Sequence, residues 1–66
     1  MKNTVRVERA ILDITQQQLA EAIGVSRNTI NSIESGRYIP STVLALKISQ
    51  YFGKPTDSIF QLDEND

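Results

Sequence analysis

Punctuation constrains this chain more than composition does. Hydroxyl residues suited to helix starts and glycines suited to helix ends alternate along it, at Thr15, Gly24, Ser26, Gly36, Ser41 and Gly53, so the helices they bound are short. The clearest signal is "TQQQ". Thr15 falls at an N-cap with Gln18 three residues on, the capping-box spacing in which each side chain satisfies an otherwise unpaired backbone N–H. Leu19, Ala20 and Ile23 make the buried stripe of that helix, and Gly24 stops it. Ser26 caps the next helix, whose Ile30 and Ile33 face the core and which ends at Gly36 after Glu34. Pro40 forbids helix for its predecessor, and Ser41 caps a fourth helix running to about Phe52, with Leu44, Ala45, Ile48 and Phe52 inward. Ahead of these, Val5, Ala10, Ile11 and Ile14 are expected to line one side of a first helix that ends near Asp13. Thr56 is expected to cap a short final turn. The β-leaning stretch is "SIFQL", whose alternation suits a short strand paired with "KNTVRV" near the N-terminus.

A chain of 66 residues is expected to form one domain with a small core. With no cysteine and no histidine it lacks a disulfide framework, thiolate and imidazole metal ligands and the commonest general base, so neither a metal site nor a cofactor is expected. An enzyme is disfavoured further because no paired carboxylates are placed for acid–base work. No apolar run approaches the roughly 18 residues of a membrane span, and "MKNTVRVERA" lacks the apolar core of a signal peptide, which makes the cytoplasm the expected address. The net charge of −1 conceals an asymmetry. Residues 1–56 carry all seven bases against four acids, a net of +3, while Asp57, Asp63, Glu64 and Asp66 stand without a base in the last ten residues. Residues 63–66 read as an acidic, solvated tail on a mildly basic body.

The third helix carries the functional signal. With Ile30 and Ile33 inward, Arg27, Asn28 and Asn31 project away from the core, as do Ser32 and Ser35 further along. A merely solvated face favours Glu, Lys and Ala, whose helix propensity exceeds that of Asn, Thr and Ser. Planar Asn and Arg ends instead suit paired hydrogen bonds with base edges, Asn with adenine and Arg with guanine. No carboxylate lies between Arg27 and Ile33, as suits a face that approaches phosphates. The joint "AIGVS" is about three residues long and forces a steep helix crossing, which the small Ala20 permits.

The stretch "TQQQLAEAIGVSRNTINSIESGRYIPS" resembles the helix-turn-helix, over about residues 16–35, of the Cro/phage-repressor family, also called the xenobiotic-response-element family of bacterial regulators. The family's small residue falls at Ala20, its turn glycine at Gly24 and its paired apolar positions at Ile30 and Ile33; the resemblance extends through "PSTVLALKISQYFG" and "IFQL". It implies an all-α, compact five-helix repressor-like domain, with a small β-ribbon joining the termini in some members. Arg27, Asn28 and Asn31 are then the base readers, with Thr29 nearby. Gln16 and Gln17, at the positive start of the second helix, are expected on the DNA backbone, and the family's counterpart of Gln16 also braces the recognition helix. Arg37 and Tyr38 in the following loop, with Ser32, Ser35 and Thr42, complete the backbone set. For Gln17, Ser32 and Thr42 a solvated polar surface is the plain alternative, and for Tyr38 it is loop packing.

Glu34 is an acid on the expected reading helix, and the resemblance implies that it pairs with Arg9 of the first helix as a structural ion pair. Glu8 departs from the family pattern, which often has leucine there. Specific members dimerise to read two half-sites about one DNA turn apart, a palindromic operator. Ile39, Leu46, Tyr51, Phe60 and Leu62 exceed what the inward stripe of the fourth helix needs and are the expected homodimer contact, the alternative being that they complete the core. No small-molecule ligand and no membrane partner are expected; double-stranded DNA is. The expected function is sequence-specific transcriptional regulation by a repressor. The other class is a protein-interaction module, such as an antitoxin or an antirepressor partner, using the acidic tail or the C-terminal apolar surface.

Overall fold

Thr15 caps a helix as its spacing predicts. In the computed structural model, which describes Met1–Asp66, its hydroxyl accepts from Gln18 N at 3.0 Å and its own N–H donates to Gln18 Oε1 at 2.8 Å. That capping box opens α2 (Gln16–Ile23), which Gly24 ends in the left-handed region at φ 80°. Ser26 Oγ accepts from Thr29 N to start α3 (Arg27–Glu34), and Ser41 Oγ accepts from Leu44 N to start α4 (Thr42–Phe52). Flanking these are α1 (Val5–Leu12), α5 (Thr56–Ile59) and two short strands, β1 (Lys2–Asn3) and β2 (Phe60–Gln61). The strands form an antiparallel ribbon with Lys2 opposite Gln61 and Asn3 opposite Phe60. Asn3 extends the ribbon's hold: its Nδ2 donates to Ile33 O at 2.9 Å and its Oδ1 accepts from Val5 N, starting α1.

The core gathers one stripe from each helix. Leu19, Ala20 and Ile23 of α2 meet Ile30 and Ile33 of α3, Leu44 and Ile48 of α4, Val5 of α1, and Ile59 with Phe60 from the C-terminal end. Ala20 is wholly buried where α2 and α3 pack, so a larger side chain there would push the two helices apart. Ala45 and Phe52 lie partly buried against this core. No helix is long and apolar enough to cross a membrane.

Three details differ from the sequence reading. The inward face of α1 is Val5 and Glu8, whereas Ala10 and Ile11 face solvent, Ile11 being 67% exposed, and Ile14 lies half-buried beyond the helix. The reason is that α1 turns polar atoms toward partners: Glu8 accepts from Lys54 Nζ at 2.8 Å, and Arg9 reaches α3. Thr56 is the first helical residue of α5, and Pro55, with its extended ψ of 145°, holds the N-cap without any side-chain bond. The acidic tail is exposed at Glu64, Asn65 and Asp66 but folds back on the N-terminus, with Asp63 and Asp66 at 3.3 and 3.0 Å from the Met1 ammonium.

Candidate nucleic-acid interface

The tight joint between α2 and α3 fixes which side of α3 can meet a ligand. Gly24 N and Val25 N both donate to Ala20 O, at 2.9 and 3.0 Å, so the chain reverses within three residues and Ser26 can cap at once. Ile30 and Ile33 are then wholly buried, and Arg27 and Asn28 stand exposed in the first turn of α3. Thr29, Asn31 and Ser32 are half-buried beside them, with Thr29 Oγ1 sharing a 3.0 Å hydrogen bond with Ser26 Oγ.

Behind this face lies a charged network. Arg9 donates from Nε to Glu34 Oε2 at 2.8 Å and from Nη2 to Glu34 Oε1 at 3.1 Å, a bidentate pair. Its Nη1 also donates to Ile14 O, and Arg6 approaches Oε1 at 3.6 Å. The Glu34 side chain is fully buried. Burial is the largest influence on its carboxyl and opposes ionisation, but hydrogen bonds from Arg9 and Gln16, with the charge of Arg9, together hold it below the usual carboxylate range. The same hydrogen bond to Glu34 raises the Arg9 guanidinium above its ordinary value. The only acid of α3 is therefore withdrawn from the outward face and neutralised.

Gln16 joins this network to the exposed face. Its Nε2 lies 3.1 Å from Glu34 Oε1 and 3.3 Å from Asn31 Oδ1. A hollow at the start of α2 is lined by Arg9, Asp13, Thr15, Gln16, Gln17 and Arg27, so both candidate backbone glutamines share a surface with the first candidate base reader. Gln17 also donates to Glu21 Oε1 along α2. On the other side, Asn28, Thr29, Ser32 and Tyr38 line a second hollow, and Arg37 Nε donates to Ser35 Oγ, which donates in turn to Ser32 O. Thr42 lies apart from these. It lines a third hollow with Pro40 and with three of the residues expected at a dimer contact, Ile39, Leu46 and Phe60; that expected set also includes Tyr51 and Leu62. Within that set Ile39, Leu46, Tyr51 and Leu62 are exposed, whereas Phe60 is a core residue, 7% exposed, because β2 turns it beneath the ribbon. Tyr51 borders a separate hollow with Ala22, Lys47 and Gln50.

Sequence reasoning missed the ion pair of the buried Glu8 with the exposed Lys54, whose partners lie far apart along the chain, and, beyond the bracing of the recognition helix that the resemblance implies for Gln16, the particular bonds from Gln16 to Asn31 and Glu34. The one signal for the first was an acid at an inward position of α1.

Comparison with known proteins agrees with this geometry. Residues 5–59 match the helix-turn-helix family model. The chain is 44% identical over 66 residues to an HTH-type transcriptional regulator of Methanocaldococcus jannaschii, with all of both chains covered. It is also 44% identical over 64 residues to an HTH-type transcriptional regulator of Bacillus subtilis, covering 97% of each. The transcriptional repressor RstR of the cryptic phage CTXphi of Vibrio cholerae is 34% identical over 65 residues, covering 91% of this chain and 56% of the repressor. With α2 and α3 forming the helix-turn-helix, the chain belongs to the Cro/C1-type helix-turn-helix family of DNA-binding transcriptional regulators, a class without enzymatic activity.

Proposed function

We propose that the protein is a sequence-specific repressor that binds a palindromic operator as a homodimer in the cytoplasm, with α3 in the major groove. The observation that carries this reading is the division of α3: Arg27 and Asn28 stand free at its start while its one carboxylate is buried against Arg9. Arg27, Asn28 and Asn31 read base edges with Thr29 beside them. Gln16 and Gln17 meet phosphate through their backbone N–H groups at the start of α2, where the helix dipole also favours an anion. Arg37, Tyr38, Ser32 and Ser35 meet the backbone beyond α3, and Thr42 does so nearer the dimer contact. The exposed Ile39, Leu46, Tyr51 and Leu62 supply the homodimer surface, with the hollow over Phe60 receiving the partner's side chains. The phage repressor among the relatives supports the repressor reading.

The test is binding of the purified protein to DNA from its own upstream region and to random DNA across a salt series. Tighter binding to its own region, with log affinity falling steeply as log salt rises, is the expected result. Equal affinity for both DNAs would sink sequence-specific regulation and favour the protein-interaction reading. Within the same assay Arg27→Ala should cost about 1 to 3 kcal/mol on the operator and relax one base position, while Arg37→Ala should weaken all sequences alike and reduce the salt slope by about 1. Equal losses for Arg27→Ala on both DNAs would make that arginine a backbone contact.

A further inference from the structure

An asparagine amide swaps its donor and acceptor edges by turning half a revolution, so a freely turning Asn31 would satisfy opposite base patterns equally well. Its neighbours remove that freedom. Glu34, ionised between Arg9 and Arg6, can only accept hydrogen bonds, so the end of Gln16 that faces it at 3.1 Å must be the NH2 group. The same Nε2 carries a second hydrogen, directed at Asn31 from 3.3 Å, and a donor there requires that Asn31 present its oxygen inward. Asn31 Nδ2 makes no hydrogen bond within the protein and, on a half-buried residue beside the exposed Arg27 and Asn28, is left available to a ligand. The polarity of the reading edge is therefore dictated by a carboxylate that itself never reaches the surface.

We propose that Gln16 is a positioning residue that fixes Asn31 as an outward hydrogen-bond donor, selecting an acceptor-bearing base beneath it and rejecting cytosine. The acceptors available in the major groove are N7 of either purine, O6 of guanine and O4 of thymine, whereas cytosine offers the N4 donor. This deepens the proposed function and rests on α3 reading bases.

The experiment selects binding sites from a randomised DNA pool with the wild type, Asn31→Asp and Gln16→Met, each first checked for folding by thermal melting. Asn31→Asp keeps an oxygen toward Gln16 and replaces the outward donor with an acceptor, so preference at one base position should move toward cytosine by about fivefold or more. Gln16→Met removes the dictating NH2 group, and the same position should lose its bias while the others keep theirs. A wild-type consensus whose positions are all unchanged in Asn31→Asp overturns this inference and leaves sequence-specific binding standing, and that variant decides alone if Gln16→Met fails to fold. A wild type that selects no consensus overturns both.

Discussion

Glu34 is the residue at which stability and the proposed recognition meet in this domain. Its folded carboxyl titrates below the unfolded value of about 4.3, so the folded state binds a proton less readily than the unfolded chain does. The stabilisation from the Arg9 pair is then fully present above that pH and is lost as pH falls through the lower, folded value. Urea titrations between about pH 7 and about pH 3 should show this loss in the wild type. Glu34→Gln should be less stable near neutrality by about 3 to 5 kcal/mol, because it leaves a largely buried guanidinium without its counter-charge, and its stability should fall less on acidification. Parallel pH profiles for the two proteins would show that the pair does not govern acid sensitivity. Operator preference measured under folded conditions should change at the base position beneath Asn31, which Glu34 reaches through Gln16, and hold at the positions read by Arg27 and Asn28, which lie outside the network.

At the scale of elements, α1 is the helix whose packing departs most from periodicity. Glu8 spends its inward position on an ion pair with Lys54, a partner that remains 45% exposed on its side chain. A half-buried pair of this kind, with its carboxylate buried and its lysine in water, is often matched or exceeded by an apolar replacement, because desolvating the carboxylate offsets most of its attraction to the lysine. Glu8→Leu should therefore raise the unfolding free energy, by about 1 kcal/mol, with Lys54 returning to water; a fall of that size in chemical denaturation would show the pair to be net stabilising. Thr15→Ala makes the opposite prediction for α2, a loss of about 1 kcal/mol from the missing cap, measured in the same way. These two residues also mark how far the fold is legible in sequence. Thr15, Ser26, Ser41 and the glycines act on backbone a few residues away, so local spacing locates α2, α3 and α4 closely. The face that α1 buries depends on Lys54, brought up by the end of α4, and no local pattern carries that. The candidate site divides in the same way: the outward set on α3 follows from Ile30 and Ile33, but the linkage of Gln16 to Asn31 requires α2 and α3 already packed.

At the scale of the whole molecule, the proposed homodimer sets a geometric requirement. The domain measures 31 × 22 × 20 Å, and the proposed pair of copies would have to hold their recognition helices about 34 Å apart, one turn of B-DNA. On the proposed reading a single α3 contacts only a few base pairs, so operator affinity would depend on joining two copies before or upon binding. The surface proposed for that contact is apolar where it is exposed, with Ile39 60%, Leu46 47% and Leu62 77% accessible. A second apolar set, Val7 and Ile11 on α1, is equally accessible and serves as a control. A carboxylate introduced at Leu46 must be desolvated if this surface pairs with its copy, whereas in the monomer it stays in water. Leu46→Asp should thus remain folded, sediment as a monomer where the wild type sediments as a dimer, and lose affinity for a two-half-site operator far more than for an isolated half-site. Ile11→Asp should leave both assembly and operator affinity as in the wild type. Were Ile11→Asp to break the dimer and Leu46→Asp to spare it, the pairing surface would move to α1 and the spacing of the two α3 helices would have to be derived from that geometry instead.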